Sequence, residues 1–141
     1  MRTDLPDVNV IVALFTGNHE HHDAAHAWLA SARSLATTPM TELGFVRVMM
    51  AGTPVNDPIT CSEAIGSLGE LRERPGAVFW PDATSWVDRR LVVSHVTGHR
   101  QVPDTHLLNL AIARNGRLVT FDEGIAAPLG EQARKHVWLL C

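Results

Sequence analysis

Four carboxylates in this sequence fall where the chain changes character. Asp7 follows Leu5-Pro6 and precedes the apolar run Val8 to Phe15. Glu42 lies in the first turn of a helical pattern that comes after Leu35-Ala36-Thr37. Asp104 follows Pro103 at the start of another helical pattern, and Asp122 directly follows Val119-Thr120-Phe121. One acid at a helix start says little, because caps and dipole partners are common there. Asp122 before Glu123-Gly124 also reads as an ordinary turn residue. Convergence would change that. In an open parallel sheet, ligands bind in the crevice beyond the carboxyl ends of the strands. Four acids gathered at that edge would repel unless a divalent cation lay among them, and an all-oxygen donor set suits Mg²⁺ or Mn²⁺.

Other residues invite different chemistry. His22 and His26 are one helical turn apart, with His19 and His21 just before them, which raises zinc. Structural zinc sites recruit cysteines or a second distant pair, and neither is present. The expectation is that Asn18 caps a helix running to Trp28 and Leu29, with the histidines at its solvated start. Cys61 and Cys141 have no metal or redox spacing and read as a semi-buried thiol and a terminal one. Receiver domains and aspartate-nucleophile phosphatases also place an acid after a first strand, but both need a lysine late in the chain. The single lysine, Lys135, precedes the last strand-like run, against both classes.

The elements that must position these groups alternate in type. Thr3-Asp4-Leu5-Pro6 reads as a first strand, although a proline removes a ladder donor. After the strand-like Leu35 to Thr37, Thr38-Pro39 supplies an N-cap and a proline at the first helical position. That helix carries Leu43, Val46, Met49 and Met50 at helical spacing and ends at Ala51-Gly52-Thr53-Pro54, before a turn-rich loop to Pro58. A second helix is expected over Cys61 to Glu73, stopped by Pro75-Gly76. Ala77 to Trp80 reads as a buried strand and Trp86 to Val93 as a helix. Pro103 opens a helix with Leu107, Leu108, Leu110, Ala111 and Ile112 on a broad apolar face, closed by Asn115-Gly116. Arg117 to Phe121 and His136 to Leu140 are the last strands. This alternation predicts one α/β domain over residues 1–141 with a mostly parallel sheet.

Bulk properties agree with a folded domain and restrict its partners. The chain has 141 residues, 45% hydrophobic and 19% charged, enough for one real core. Its formal net charge is −3, so bulk electrostatics would not hold a nucleic acid. The apolar stretch Val8 to Phe15 is too short to span a membrane and no secretory signal is visible, so a cytoplasmic location is expected.

Four segments resemble, in order, the motifs of PIN-domain nucleases, especially VapC-type toxins of bacterial toxin–antitoxin pairs. They are Asp7-Val8-Asn9-Val10-Ile11-Val12-Ala13-Leu14, Thr41-Glu42-Leu43-Gly44-Phe45-Val46-Arg47-Val48, Val102-Pro103-Asp104-Thr105-His106-Leu107-Leu108, and Leu118-Val119-Thr120-Phe121-Asp122. The resemblance implies a Rossmann-like α/β/α sandwich and an acidic pocket for Mg²⁺ or Mn²⁺ built by Asp7, Glu42, Asp104 and Asp122. Asn9 and Thr120 would be polar helpers. It further implies endonucleolytic cleavage of RNA, with tRNA or ribosomal RNA as targets, a homodimer, and silencing by a VapB-type antitoxin. Arg47, His99 and Arg100 are candidates for contact with the RNA. Trp28 and Trp86 are candidate anchors for the antitoxin. Pro6 and Glu123 depart from the family pattern. The competing expectation is a PIN-like module that binds RNA or a partner without cutting.

Overall fold

Among residues 2–141, which the computed structural model describes, five short strands pair wholly in parallel. They are β1 (Asp4–Pro6), β2 (Leu35–Thr37), β3 (Ala77–Phe79), β4 (Arg117–Thr120) and β5 (Val137–Leu139), in the order β3-β2-β1-β4-β5. Parallel strands need crossovers, and helices supply them. These are α1 (Val8–Leu14), α2 (His22–Ser31), α3 (Pro39–Ala51), α4 (Cys61–Arg72), α5 (Val102–Ala113), α6 (Glu123–Ala126) and α7 (Glu131–Arg134). Alternate strand residues face opposite layers. Leu35 and Val119 pack with α1 to α4, around Ile11, Trp28, Phe45 and Leu68. Leu5, Ala36 and Leu118 pack with α5, Ile125 and Ala133 on the other face. The result is the expected α/β/α sandwich.

Pro6 sits in the central strand, and the ladder shows how it is tolerated. Successive N–H groups of β1 point to opposite sides: Asp4 N–H donates to Ser34 O and Asp7 N–H to Val119 O, both at 2.9 Å. The N–H that Pro6 lacks therefore belongs to the β2 side. There the register is only Asp4↔Leu35, whereas β4 pairs three residues of β1. The proline shortens one ladder and leaves the other, which fixes Asp7, intact.

Four sequence expectations need correction. The Ala77 to Trp80 strand is not buried, because β3 is the sheet edge; Val78 and Phe79 are exposed and only Trp80 is covered. Trp86 to Val93 forms turns rather than a helix. Short turn bonds hold it, Asp88 N–H to Ser85 O and Leu91 N–H to Asp88 O, and a side chain clamps its end: Asn109 Oδ1 accepts from Val92 N–H at 2.8 Å and Asn109 Nδ2 donates to Val92 O at 3.0 Å. The helix after Asn18 begins only at His22, with His21 at the capping position. Its histidines are not merely solvated: a ring nitrogen of His22 bonds Ala13 O at 2.7 Å, and one of His26 bonds Leu14 O at 3.0 Å. They bond carbonyls in the last turn of α1 and so tie the start of α2 to it. Cys61, finally, is exposed.

α3 is placed by a close approach. A Cβ on Gly44 would lie 2.6 Å from Val8 Cγ2, so only glycine lets α3 sit this tightly on α1. At its start, Thr38 is the N-cap residue, but its hydroxyl donates to Trp80 O at 2.8 Å. Thr41 Oγ1 accepts from Thr38 N–H instead, at 3.1 Å.

Candidate functional site

Asp7 is fixed from two directions. It caps α1, with Oδ1 accepting from Val10 N–H at 3.1 Å, and its Oδ2 accepts from the Thr120 hydroxyl at 2.6 Å. Thr120 ends β4, so one bond ties together the edges of two adjacent strands. The side chain is buried, 5% exposed as a residue. Burial raises its pKa first. The Thr120 and Val10 bonds pull the other way, and the charge of Asp122 raises it again.

Asp104 is placed by the first turn of α5, and Asp122 by the turn that leaves β4, where its Oδ1 accepts from Gly124 N–H at 2.8 Å. The Asp104 carboxyl is pushed up to about 6, by burial first and then by the charges of Asp7 and Asp122. Three acids from β1, α5 and β4 thus feel one another at the carboxyl edge of the sheet. Asp122 lines two cavities. One, of about 170 Å³, is shared with Asp104, His95, Arg100, Gln101, Leu108 and Ile125. The other, of about 330 Å³, is shared with Asp7, Asn9, His19, Glu20, His21, Thr120 and Phe121.

Glu42 departs from the expected convergence of four acids. Its Oε2 accepts from the Thr37 hydroxyl at 2.6 Å and from Arg72 Nη1 at 3.2 Å. Arg72 closes α4, so the pair turns Glu42 toward the α3–α4 groove rather than toward Asp104. That groove, about 800 Å³, is walled by Leu43, Val46, Met50, Ile65 and Leu68, with Glu42 and Arg72 at its margin.

The remaining sequence candidates separate. Asn9 and Thr120 line the cavity beside Asp7, and Thr120 also bonds it. Arg100 lines the cavity beside Asp104; His99, in the same short 3-10 turn, is exposed. Arg47 lies on the α3–α4 groove. Trp28 cannot anchor a partner, since it is 2% exposed and its Nε1 donates to Asp4 Oδ2 at 3.0 Å. Trp86 is exposed but stands on the turn segment, donating to His106 Nδ1 at 2.9 Å.

Sequence reasoning missed two groups. His19, His21 and Phe121 form a wall beside Asp7 and Asp122; four histidines directly after the first helix were the available signal. His95 was hidden in a segment without periodicity. Its Nε2 bonds Thr105 Oγ1 at 3.0 Å, burial lowers its pKa, and its Nδ1 is buried with no partner among the described residues.

The donor chemistry fits a hard divalent cation. The three aspartates offer only oxygens, and the pKa values of Asp7 and Asp104 are raised by burial first and then by neighbouring carboxylates, both of which a bound cation would offset. Among the described residues no three His, Cys, Asp or Glu side chains stand arranged to hold one ion as they are, the histidines after α1 included. The same fact applies to the aspartates. Charge coupling acts over several ångströms, whereas ligation requires contact distance, so the cluster is coupled without being drawn in around an ion.

A family model described as PIN domain matches residues 5–128. Ribonuclease VapC39 of Mycobacterium tuberculosis is 41% identical over 132 residues, 88% of this chain and 91% of the relative. Ribonuclease VapC29 of the same organism is 39% identical, covering 93% of this chain and 94% of the relative. Ribonuclease VapC38, also from that organism, is 39% identical over 96% of both. Among solved structures, VapBC2 from Rickettsia felis, bound to a DNA fragment from its promoter, superposes with a TM-score of 0.58 over 99% of both chains at 10% identity. That likeness concerns the fold.

Proposed function

Because this chain belongs to the PIN-domain family, with VapC ribonucleases as relatives over nearly its whole length, we propose that it is the endoribonuclease toxin of a toxin–antitoxin pair, working with Mg²⁺ or Mn²⁺ at Asp7, Asp104 and Asp122. The observation that carries the site is the placement of these three aspartates at the carboxyl edge of the sheet, where Asp122 lines one cavity with Asp7 and another with Asp104. They would hold the cation, which when bound acidifies a water and offsets phosphoryl charge.

The chain's own groups divide the work. Asp7 is the rigid member, since both of its oxygens already accept bonds that set its orientation. Asp104 has no hydrogen bond among the described residues, and so can reorient when its proton leaves. Asp122, exposed between the two cavities, faces both sides of the passing strand. Asn9 and Thr120 serve as polar supports on the Asp7 side. Glu42 joins this set by leaving Arg72, and holds solvent rather than the ion itself. Arg100, beside Asp104, is the RNA-backbone contact best supported by position; Arg47 and His99 lie farther round the surface.

The α3–α4 groove is where an antitoxin would lie. Leu43 and Ile65 are 68% and 58% exposed, a large apolar surface for a lone domain. An amphipathic segment seated there could send a basic side chain past Arg72 to Glu42 and the acid edge. A homodimer, a cytoplasmic location and a single PIN domain over residues 1–141 complete the reading. No helix among the described residues is long and apolar enough to cross a membrane.

Incubation of the purified chain with structured RNA, tRNA and ribosomal RNA among them, tests it. Internal cleavage is expected with Mn²⁺ or Mg²⁺ and none with EDTA. Cleavage unaffected by EDTA would refute the metal assignment. No cleavage of any RNA would leave the fold acting as a binding module.

A further inference from the structure

The histidines after α1 build a surface that the ribonuclease reading does not yet use. Phe121 follows β4, lies one residue before Asp122, and packs its inner side on the core. The His21 ring lies over it, ring centroids 4.3 Å apart and planes 16° from parallel. The His21 side chain keeps 39% of its surface exposed, and the Glu20 carboxylate lies 3.6 Å from its Nε2. Both rings line the cavity of about 330 Å³ that holds Asp7, Asn9, Thr120 and Asp122.

His19 completes this wall. Its Nδ1 accepts from the His21 backbone N–H at 3.0 Å, which places the ring proton on Nε2. That Nε2–H has no partner among the described residues, and burial, then the neighbouring His21, lowers the ring's pKa. A fixed donor thus stands next to a flat aromatic face, one residue from the acid edge. Aromatic faces hold unpaired bases by stacking, without help from net charge. A chain of net charge −3 needs such a term to retain an anionic strand.

We propose that His21, backed by Phe121, is a stacking platform for one unpaired nucleobase flanking the phosphate held at the acid edge, with the His19 Nε2–H donating to that nucleotide. The subsite rests on the ribonuclease reading and deepens it: the substrate presents single-stranded RNA to this side of Asp122. A duplex, whose bases are already stacked, would not fit it.

Fluorescence anisotropy with a short labelled oligouridylate, and with an oligomer of the same length whose riboses carry no bases, tests the platform. Ca²⁺ replaces Mg²⁺ as a hard cation that accepts irregular oxygen ligands. The wild type is expected to bind the base-bearing oligomer about tenfold more tightly. His21→Ala should erase that preference, and His21→Phe, which keeps the ring, should retain it. A wild type without preference, a preference surviving His21→Ala, or its loss in His21→Phe would each overturn the platform while RNA cleavage by the wild type stood. Binding of neither oligomer, together with no cleavage of any RNA, would overturn the ribonuclease reading itself, and the subsite with it.

Discussion

Asp104 and Glu42 occupy similar places, each in the first turn of a helix that carries a proline at its first or second position near the carboxyl edge of the sheet. Their surroundings are opposite. Asp104 is half-buried beside His95 and Gln101, near two other aspartates, and its carboxyl rises to about 6. Glu42 has an arginine and a threonine hydroxyl on one oxygen and looks onto an apolar groove. A helix start can therefore serve as a ligand-ready position or a latched one. What decides is whether the facing helix offers a cation. No basic side chain bonds Asp104 among the described residues, whereas α4 delivers Arg72 to Glu42.

The strongest way to break this comparison is to disarm the rigid acid beside Asp104. Asp7→Asn keeps the size and the Thr120 contact but removes ligand charge, and cleavage is expected to fall by about 10²-fold or more. Burial already raises the Asp7 pKa, so neutralising it should leave the fold intact. Its thermal midpoint in EDTA should stay level or rise. Full ribonuclease activity in folded Asp7→Asn protein would remove the aspartate cluster from the mechanism.

The next effect is the pH dependence of Asp104 itself. Its folded pKa, about 6, lies above the unfolded value near 3.8. The metal-free fold thus binds the proton more tightly than the unfolded chain. The resulting stability is present in full below about pH 4 and is lost as pH rises through 6. After screening by the solvent that still reaches the group, roughly 1 kcal/mol remains, about 3 °C in Tm. Asp104→Asn should therefore raise Tm by about that much at pH 7.5 in EDTA, and by nothing at pH 4. Mn²⁺ titrated into wild type should bind more weakly below pH 6, where protons compete for the carboxylate. A Tm gain of equal size at both pH values would show that repulsion is not what the substitution relieves.

Much of this asymmetry was legible in the chain and part was not. Element order and the ends of α3 and α5 follow from local chemistry: Thr38-Pro39 at one start, Gly52 and Asn115 in left-handed conformations at the stops. Asp7, Asp104 and Asp122 could be placed because each is pinned to a strand end or a helix start. The direction of Glu42 could not, because it depends on Arg72, thirty residues away on another helix. The Trp86 to Val93 turns were hidden for a similar reason: Asn109 and His106, on α5, hold them from outside. His22 and His26 were read as solvated because sequence does not show that the end of α1 passes beside them. Long-range side-chain bonds, rather than local propensity, account for these misses.

The smallest effect sharpens the comparison most. Arg72 and Glu42 are partly exposed, 37% and 29% at their side chains, so their pair contributes only about 0.2–1 kcal/mol to stability. Arg72 also lies 5.2 Å over the Phe79 ring, a contact that an apolar chain can replace. Arg72→Met should therefore leave Tm nearly unchanged while freeing Glu42 to turn toward the aspartates. One more carboxylate near the cation should tighten Mn²⁺ binding about threefold, a coupling below ~1 kcal/mol, and Glu42→Gln on that background should cancel the gain. Titration calorimetry with Mn²⁺ reads both steps without reference to cleavage. If Arg72→Met leaves Mn²⁺ affinity unchanged and Glu42→Gln has no effect in either background, Glu42 is latched for the groove alone, and the metal site is built by three aspartates without it.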